Sequence, residues 1–85
     1  LLDDAETRVC ALAERAFIRA LGGGCFSPAA AYAVMENGVL RLRALYVSAD
    51  EKTLLRGEIT GEPHEAEALG ERLAARLRRQ AEEET

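Results

Sequence analysis

Asn37-Gly38 sits between two runs of strand-forming residues, and no other feature narrows the fold of this chain as far. A two-residue turn that matches the twist of its strands needs positive φ at both central positions, which Asn-Gly adopts at least cost. The pair therefore predicts a tight antiparallel hairpin. Ala29 to Glu36 is its first strand and Val39 to Ser48 its second, with Leu40 and Leu42 alternating against Arg41 and Arg43. The alternation slips at Ala44-Leu45, which predicts either a bulge or a stretch buried on both faces. Ala49 to Lys52 is polar and turn-like, and Thr53 to Thr60 reads as a third strand.

An amphipathic helix stands on each side of this sheet. The first is predicted from about Asp4 to Leu21, opened by a capping-box-like Asp3 and Glu6. Val9, Ala13, Ala16, Phe17, Ala20 and Leu21 recur at helical spacing, with Leu12 at the margin of the stripe. Glu6, Arg8, Glu14 and Arg15 lie mostly outside it. Gly22 supplies the residue best able to take positive φ just past the helix end. The second helix is predicted from about His64 to Gln80, after a Gly61-Glu62-Pro63 break that places Pro63 in its first turn.

The stripe of that second helix is Ala66, Leu69, Leu73 and Leu77, with Gly70 and Ala74 allowing close packing. Glu62, Glu65 and Glu67 crowd its start, and Arg76, Arg78 and Arg79 its end. Glu82 to Thr85 reads as a frayed tail, with Arg78–Glu82 and Arg79–Glu83 spaced for weak pairs. The order is α-β-β-β-α. The expected fold class is α+β, a three-stranded antiparallel sheet with both helices packed on one face.

Eighty-five residues allow one small domain, residues 1–85, and no second core. A hydrophobic share of 48% beside 31% charged residues predicts a soluble globular chain with a core, not a disordered one. The net charge of −4 argues against nucleic acid, because phosphate binding needs a basic field. No apolar run approaches the ~20 residues of a membrane helix. With no signal-peptide pattern at the start, a cytoplasmic location is expected. The chain opens on Leu1 and runs almost at once into a helix cap, which implies a piece cut from a longer protein.

Two cysteines are present, Cys10 and Cys25, and a reducing cytoplasm predicts two free thiols rather than a disulfide. Cys10 lies beside Val9 in the first helix and reads as a half-buried packing residue. Cys25 stands in Gly22-Gly23-Gly24-Cys25-Phe26-Ser27-Pro28, between the first helix and the first strand. It is either a small apolar residue packed under this segment or an accessible thiol that glycines let a ligand approach. A glycine-rich loop cradles phosphate when it leads into a helix N-terminus. Here it follows a helix C-terminus, so a nucleotide site is not expected. That end disfavours a thiolate, and no sequence neighbour supplies a cation or histidine. Cys25 is thus a poor general nucleophile but an adequate anchor for a strongly electrophilic partner.

His64 is the only histidine and reads as a surface residue; with two distant cysteines it makes no zinc-ligand pattern. Arg41, Arg43 and Arg56 fall on one sheet face. They form either a solvated surface or a contact for acidic groups of a neighbouring domain or polyanion, with Glu58 tempering the charge. The α-β-β-β-α order is also that of double-stranded-RNA-binding domains, which carry basic residues at the start of the second helix. This chain has Glu62-Pro63-His64-Glu65-Ala66-Glu67 there, so that reading fails. A non-catalytic protein-interaction domain of the same topology is the remaining alternative, and it explains neither the glycines nor the cysteine.

Ala13-Glu14-Arg15-Ala16-Phe17, Leu21-Gly22-Gly23-Gly24-Cys25 with Pro28, and Ala31-Tyr32-Ala33 resemble the C-terminal domain of hydroxymethylbilane synthase, also called porphobilinogen deaminase. The resemblance continues through Leu40-Arg41-Leu42-Arg43-Ala44-Leu45, Leu55-Arg56-Gly57-Glu58 and Glu67-Ala68-Leu69-Gly70, in collinear order over nearly the whole chain. It implies that Cys25 carries a dipyrromethane cofactor through a thioether, with Gly23 and Gly24 leaving room for the pyrrole rings. That cofactor primes the joining of four porphobilinogen units into hydroxymethylbilane, with release of ammonia, in tetrapyrrole and heme biosynthesis. The resemblance also implies a transferase that acts as a monomer, with two preceding domains holding the catalytic aspartate and cofactor-binding arginines. The piece alone is then expected to be inactive, with no catalytic residue, no metal and no membrane or nucleic-acid partner of its own.

Overall fold

The computed structural model describes residues 4–22, 29–47 and 54–83. Helix α1 (Asp4–Ala20) is followed by strands β1 (Ala29–Glu36), β2 (Val39–Val47) and β3 (Leu54–Gly61), then a 3-10 turn (Pro63–Glu65) and helix α2 (Ala66–Glu83). The strands form one antiparallel sheet in the order β1-β2-β3. The expected α+β class and element order hold. The Asp3 cap, Gly23, Gly24, Cys25, Phe26, Ser27, Pro28, Ser48, the Ala49–Lys52 turn and Thr53 lie outside the described residues.

The hairpin turns as Asn37-Gly38 demands, with φ of 51° and 78° at the two positions. From there the register runs without interruption, pairing Glu36 with Val39 and Ala29 with Tyr46. Neither the bulge nor the doubly buried stretch expected at Ala44-Leu45 is present. Ala44 pairs with Ala31 and is buried, while Leu45 pairs with Ala30 and is 42% exposed. Two adjacent apolar residues hid an unbroken alternation, because Leu45 is an apolar side chain on the outer face.

One face of the sheet carries the core. Leu40, Leu42 and Ala44 of β2, Ala33 of β1 and Leu55 of β3 meet Ala13 and Phe17 of α1 and Leu69, Leu73 and Leu77 of α2. The predicted helical stripes are the buried ones, with Val9 and Ala20 packed at their edge. The helices pack on each other as well as on the sheet, α1 chiefly over β1 and α2 chiefly over β3. Gly70 makes the helix contact close: a Cβ there would stand 2.5 Å from the Ala13 carbonyl oxygen and 2.8 Å from the Phe17 nitrogen. Gly57 and Gly61 do the same for α2 on β3, where a Cβ would meet Leu73 at 2.7 Å and Leu69 at 2.8 Å.

Helix α2 runs to Glu83, three residues past the predicted end, so Glu82 and Glu83 belong to it rather than to a frayed tail. Arg76 and Arg78 lie inside the helix, as predicted, and reach across to other elements. Arg76 Nη1 donates to the Glu58 carbonyl of β3 at 3.3 Å. At the opposite edge the Ala33 N–H of β1 donates to Glu14 Oε2 at 2.8 Å. Both outer strands thus have a backbone group occupied by a helix side chain, which blunts edges that would otherwise template further pairing.

Candidate functional site

The segment that drew attention in the sequence departs from the end of α1 and returns at β1, and both of its described ends are well defined. The Leu21 N–H donates to the Phe17 carbonyl at 3.1 Å, and the Gly22 N–H to the Arg19 carbonyl at 3.0 Å. Gly22 takes φ of 91° and turns the chain out of the helix, as a C′ glycine does. Leu21 stays buried and Ala29 packs against the core, so the residues that flank the segment are anchored. Gly22 itself is exposed, and a Cβ there would meet nothing within 4 Å.

The carbonyl end of α1 is not left bare. Arg78 Nη1, from 58 positions further along, donates to the Ala20 carbonyl at 3.3 Å. With Arg19 in the last turn, a second guanidinium offsets the negative end of the helix dipole beside Gly22. Arg19 is close enough in the chain to be read from the sequence, whereas Arg78 is brought here only by the fold. The i,i+4 spacing tied Arg78 to Glu82 instead, whose side chain lies outside the described residues.

Cys10 offers a contrast. It is a free, half-buried thiol in the groove between α1 and β1, with Glu6 and Glu14 along the same wall. Burial pushes its pKa above the ordinary thiol value, and the charges of Glu14 and then Glu6 push it further in the same direction. A thiol held in its neutral form is a weak nucleophile. The packing role expected of Cys10 fits this setting.

These elements were compared with known protein families. The model of the porphobilinogen deaminase C-terminal domain matches residues 8–79, which takes in most of α1, the three strands and most of α2. The chain belongs to this family. The porphobilinogen deaminase of Syntrophus aciditrophicus is 47% identical over 76 residues, covering 89% of this chain and 25% of that protein. That of Chlorobium chlorochromatii is 45% identical over 84 residues, covering 94% and 27%. That of Coxiella burnetii is 41% identical over 76 residues, covering 89% and 25%. The chain therefore spans about a quarter of the length of these relatives.

Within this porphobilinogen deaminase domain, the three arginines expected on one sheet face are there, on the face that the helices leave open. Arg41 and Arg43 do not point at free space: Arg41 Nη1 meets Glu36 Oε1 at 3.0 Å, and Arg43 Nε meets Glu58 Oε1 at 3.3 Å. Glu58 Oε1 also lies 3.7 Å from Arg41 Nε, so it serves both. Glu58 neutralises the pair Arg41 and Arg43, not its chain neighbour Arg56. His64 is exposed beside Pro63, as expected of a surface residue. Glu65 Oε1 accepts from the Glu62 N–H at 3.4 Å, so the acidic start of α2 satisfies its own backbone. No helix among the described residues is long and apolar enough to cross a membrane.

Proposed function

We propose that this chain is the cofactor-anchoring part of a hydroxymethylbilane synthase, with Cys25 as the attachment residue. The observation that carries the reading is the family match across both helices and all three strands, with the Cys25 segment lying between α1 and β1. Dipyrromethane, when bound, primes the head-to-tail joining of porphobilinogen units with release of ammonia. The described surroundings fit a group attached nearby. Gly22 opens onto free space, and Leu21 and Ala29 hold the segment's two ends in the core.

The residues of this chain then have a holding role. Chain connectivity ties Cys25 to within about 10 Å of Gly22 and about 14 Å of Ala29, at ~3.4 Å per residue. Gly23 and Gly24 add no side chain to compete with the pyrrole rings. Arg78 and Arg19 lessen the negative field at the end of α1, which would otherwise oppose ionisation of a nearby thiol. Cys25 would hold the dipyrromethane through its sulfur, and a strongly electrophilic carbon needs no specially activated thiol. Cys10, with its raised pKa, is the poorer candidate of the two.

Peptide mass analysis of an intact porphobilinogen deaminase carrying this chain as its C-terminal part tests the assignment. A two-pyrrole excess is expected on the peptide containing Cys25 and none on the peptide containing Cys10. A dipyrromethane on Cys10, or on neither, would overturn it. The 85-residue chain alone is expected to have the mass of the bare polypeptide and to consume no porphobilinogen, and turnover by it would contradict the holding role.

A further inference from the structure

The face of the sheet that the helices leave open carries a depression of about 630 Å³. The register builds its walls. Ala30, Leu45 and Arg56 form one row of side chains across the three strands, and Tyr32, Arg43 and Glu58 form the next. The two rows stand about 7 Å apart, twice the rise per residue. Between them run Ala31, Ala44 and Gly57, which add no bulk to this side. Ala31 and Ala44 pack toward the core, and a Cβ on Gly57 would run into Leu73 of α2. The floor is therefore backbone and the walls are side chains. Tyr32 is 65% exposed and Leu45 42%, so both are open to whatever enters. A concavity of this size, apolar with a few charged groups, has the form of a small-molecule site.

The lining also narrows the ligand. Ala30 is the smallest of the six side chains in the two rows and leaves room beside Tyr32. A flat ring fills such room and stacks on the tyrosine. From Ala30 to Arg56 is two strand spacings, about 10 Å, so a two-ring body over Ala30 and Leu45 brings an acid group to Arg56. Arg43 and Arg56 set two positive charges against Glu58, a surplus of one in a chain whose net charge is −4. Glu58 is already shared by Arg41 and Arg43, while Arg56 has no ion-pair partner among the described residues. A guanidinium accepts a carboxylate as a matched fork of two parallel hydrogen bonds. A phosphate monoester would bring nearly two negative charges to a surplus of one.

We propose that this depression binds a flat aromatic monocarboxylate, with its rings over Ala30 and Leu45 against Tyr32 and its carboxylate paired with Arg56. The site is separate from the anchoring role given to Cys25, because none of these residues belongs to the segment between α1 and β1.

The test uses 2-naphthoate as the probe and 2-naphthamide, the same rings without the charge, as its control. Nuclear magnetic resonance titration of the 85-residue chain is expected to give saturable naphthoate shifts at Tyr32, Leu45 and Arg56. A Kd of about 1 mM is expected for a ligand of ~13 heavy atoms. The amide is expected to bind about fivefold more weakly, the worth of one exposed ion pair. Arg56→Gln is expected to weaken naphthoate by the same factor and to leave the amide and the melting temperature unchanged. Tyr32→Ala is expected to weaken both. Equal binding of the two compounds, or an Arg56→Gln chain that binds naphthoate as before, would overturn the proposal. Shifts of equal size at Arg8, Arg15 and Arg19 of α1 would overturn it too, as a general affinity of guanidinium groups for anions. So would shifts at this face that grow with chain concentration before any naphthoate is added, which would mean self-association.

The second sample is the Syntrophus aciditrophicus enzyme in which this chain replaces the matching 76-residue segment. Equilibrium dialysis with 2-naphthoate is expected to show one more site in this fusion than in its Arg56→Gln form. No difference between the two would mean that the face is covered in the longer protein, and would overturn the proposal. The dialysis decides where the isolated chain is unfolded, and the titration decides where the fusion is.

Discussion

Leu40, Leu42 and Leu55 are buried under two helices, while on the other face of the same sheet Tyr32, Leu45 and Leu54 stand open. The two faces share a backbone, a register and a twist. They differ in what the side chains were selected against. On the covered face even glycine is used for fit, since Gly57 and Gly61 admit Leu73, Leu77 and Leu69 of α2. On the open face, apolar and arginine side chains stand together with no cover from the described residues. The first face holds the fold together, and the second is free to serve something outside it.

That contrast can be broken by mutation. Leu73→Ala, at a fully buried position, is expected to cost about 2–5 kcal/mol, enough to leave so small a domain partly unfolded. Chemical denaturation of the 85-residue chain measures it. Gly70→Ala comes next. Its gain in helix propensity is about 1 kcal/mol, but a methyl group against the Ala13 carbonyl forces the helices apart. A net loss of about 1–3 kcal/mol is expected from such overpacking. A stabilised Gly70→Ala chain would show the helix contact to be looser than described.

Glu14→Ala is expected to cost about 1 kcal/mol, the low end for stranding a partly buried donor, here the Ala33 N–H. It has a second readout. Removing the Glu14 charge lowers the Cys10 pKa part of the way toward the ordinary thiol value, because burial, the larger cause, remains. Alkylation of Cys10 rises with pH as the thiolate forms, so its midpoint is expected to move to lower pH in the variant. An unmoved midpoint would show that the carboxylate does not sense the thiol. Smallest of all is Tyr32→Ser on the open face, expected to change stability by no more than about 0.5 kcal/mol in the isolated chain. A large loss there would erase the distinction between the faces.

The elements with a strong local code were legible before any coordinates. Asn37-Gly38 sets its own turn, and the stripes through Phe17 and Leu73 mark their buried sides at helical spacing. Leu45 was misread because an apolar side chain on an uncovered face looks, in one dimension, like a core residue out of step. The end of α2 was misplaced because its acidic last residues resemble a solvated tail, and helix continuation there has no sharp stop signal to read. The partners Arg78–Ala20 and Glu14–Ala33 span 58 and 19 positions, and spacing rules for single elements do not reach that far. Of the candidate site, the exit at Gly22 was legible because glycine at C′ is a local signal.

The hydrogen bond from Arg78 to the Ala20 carbonyl has a mechanical consequence. It fastens the late turns of α2 to the point where the chain departs toward Cys25, so the last helix acts as a latch on the first. Fraying or shortening α2 back past Arg78 would leave the core largely intact, since Leu69, Leu73 and Leu77 precede it. It would nevertheless free the end of α1. A lesion there would therefore be felt as a loosened end of α1 more than as lost stability.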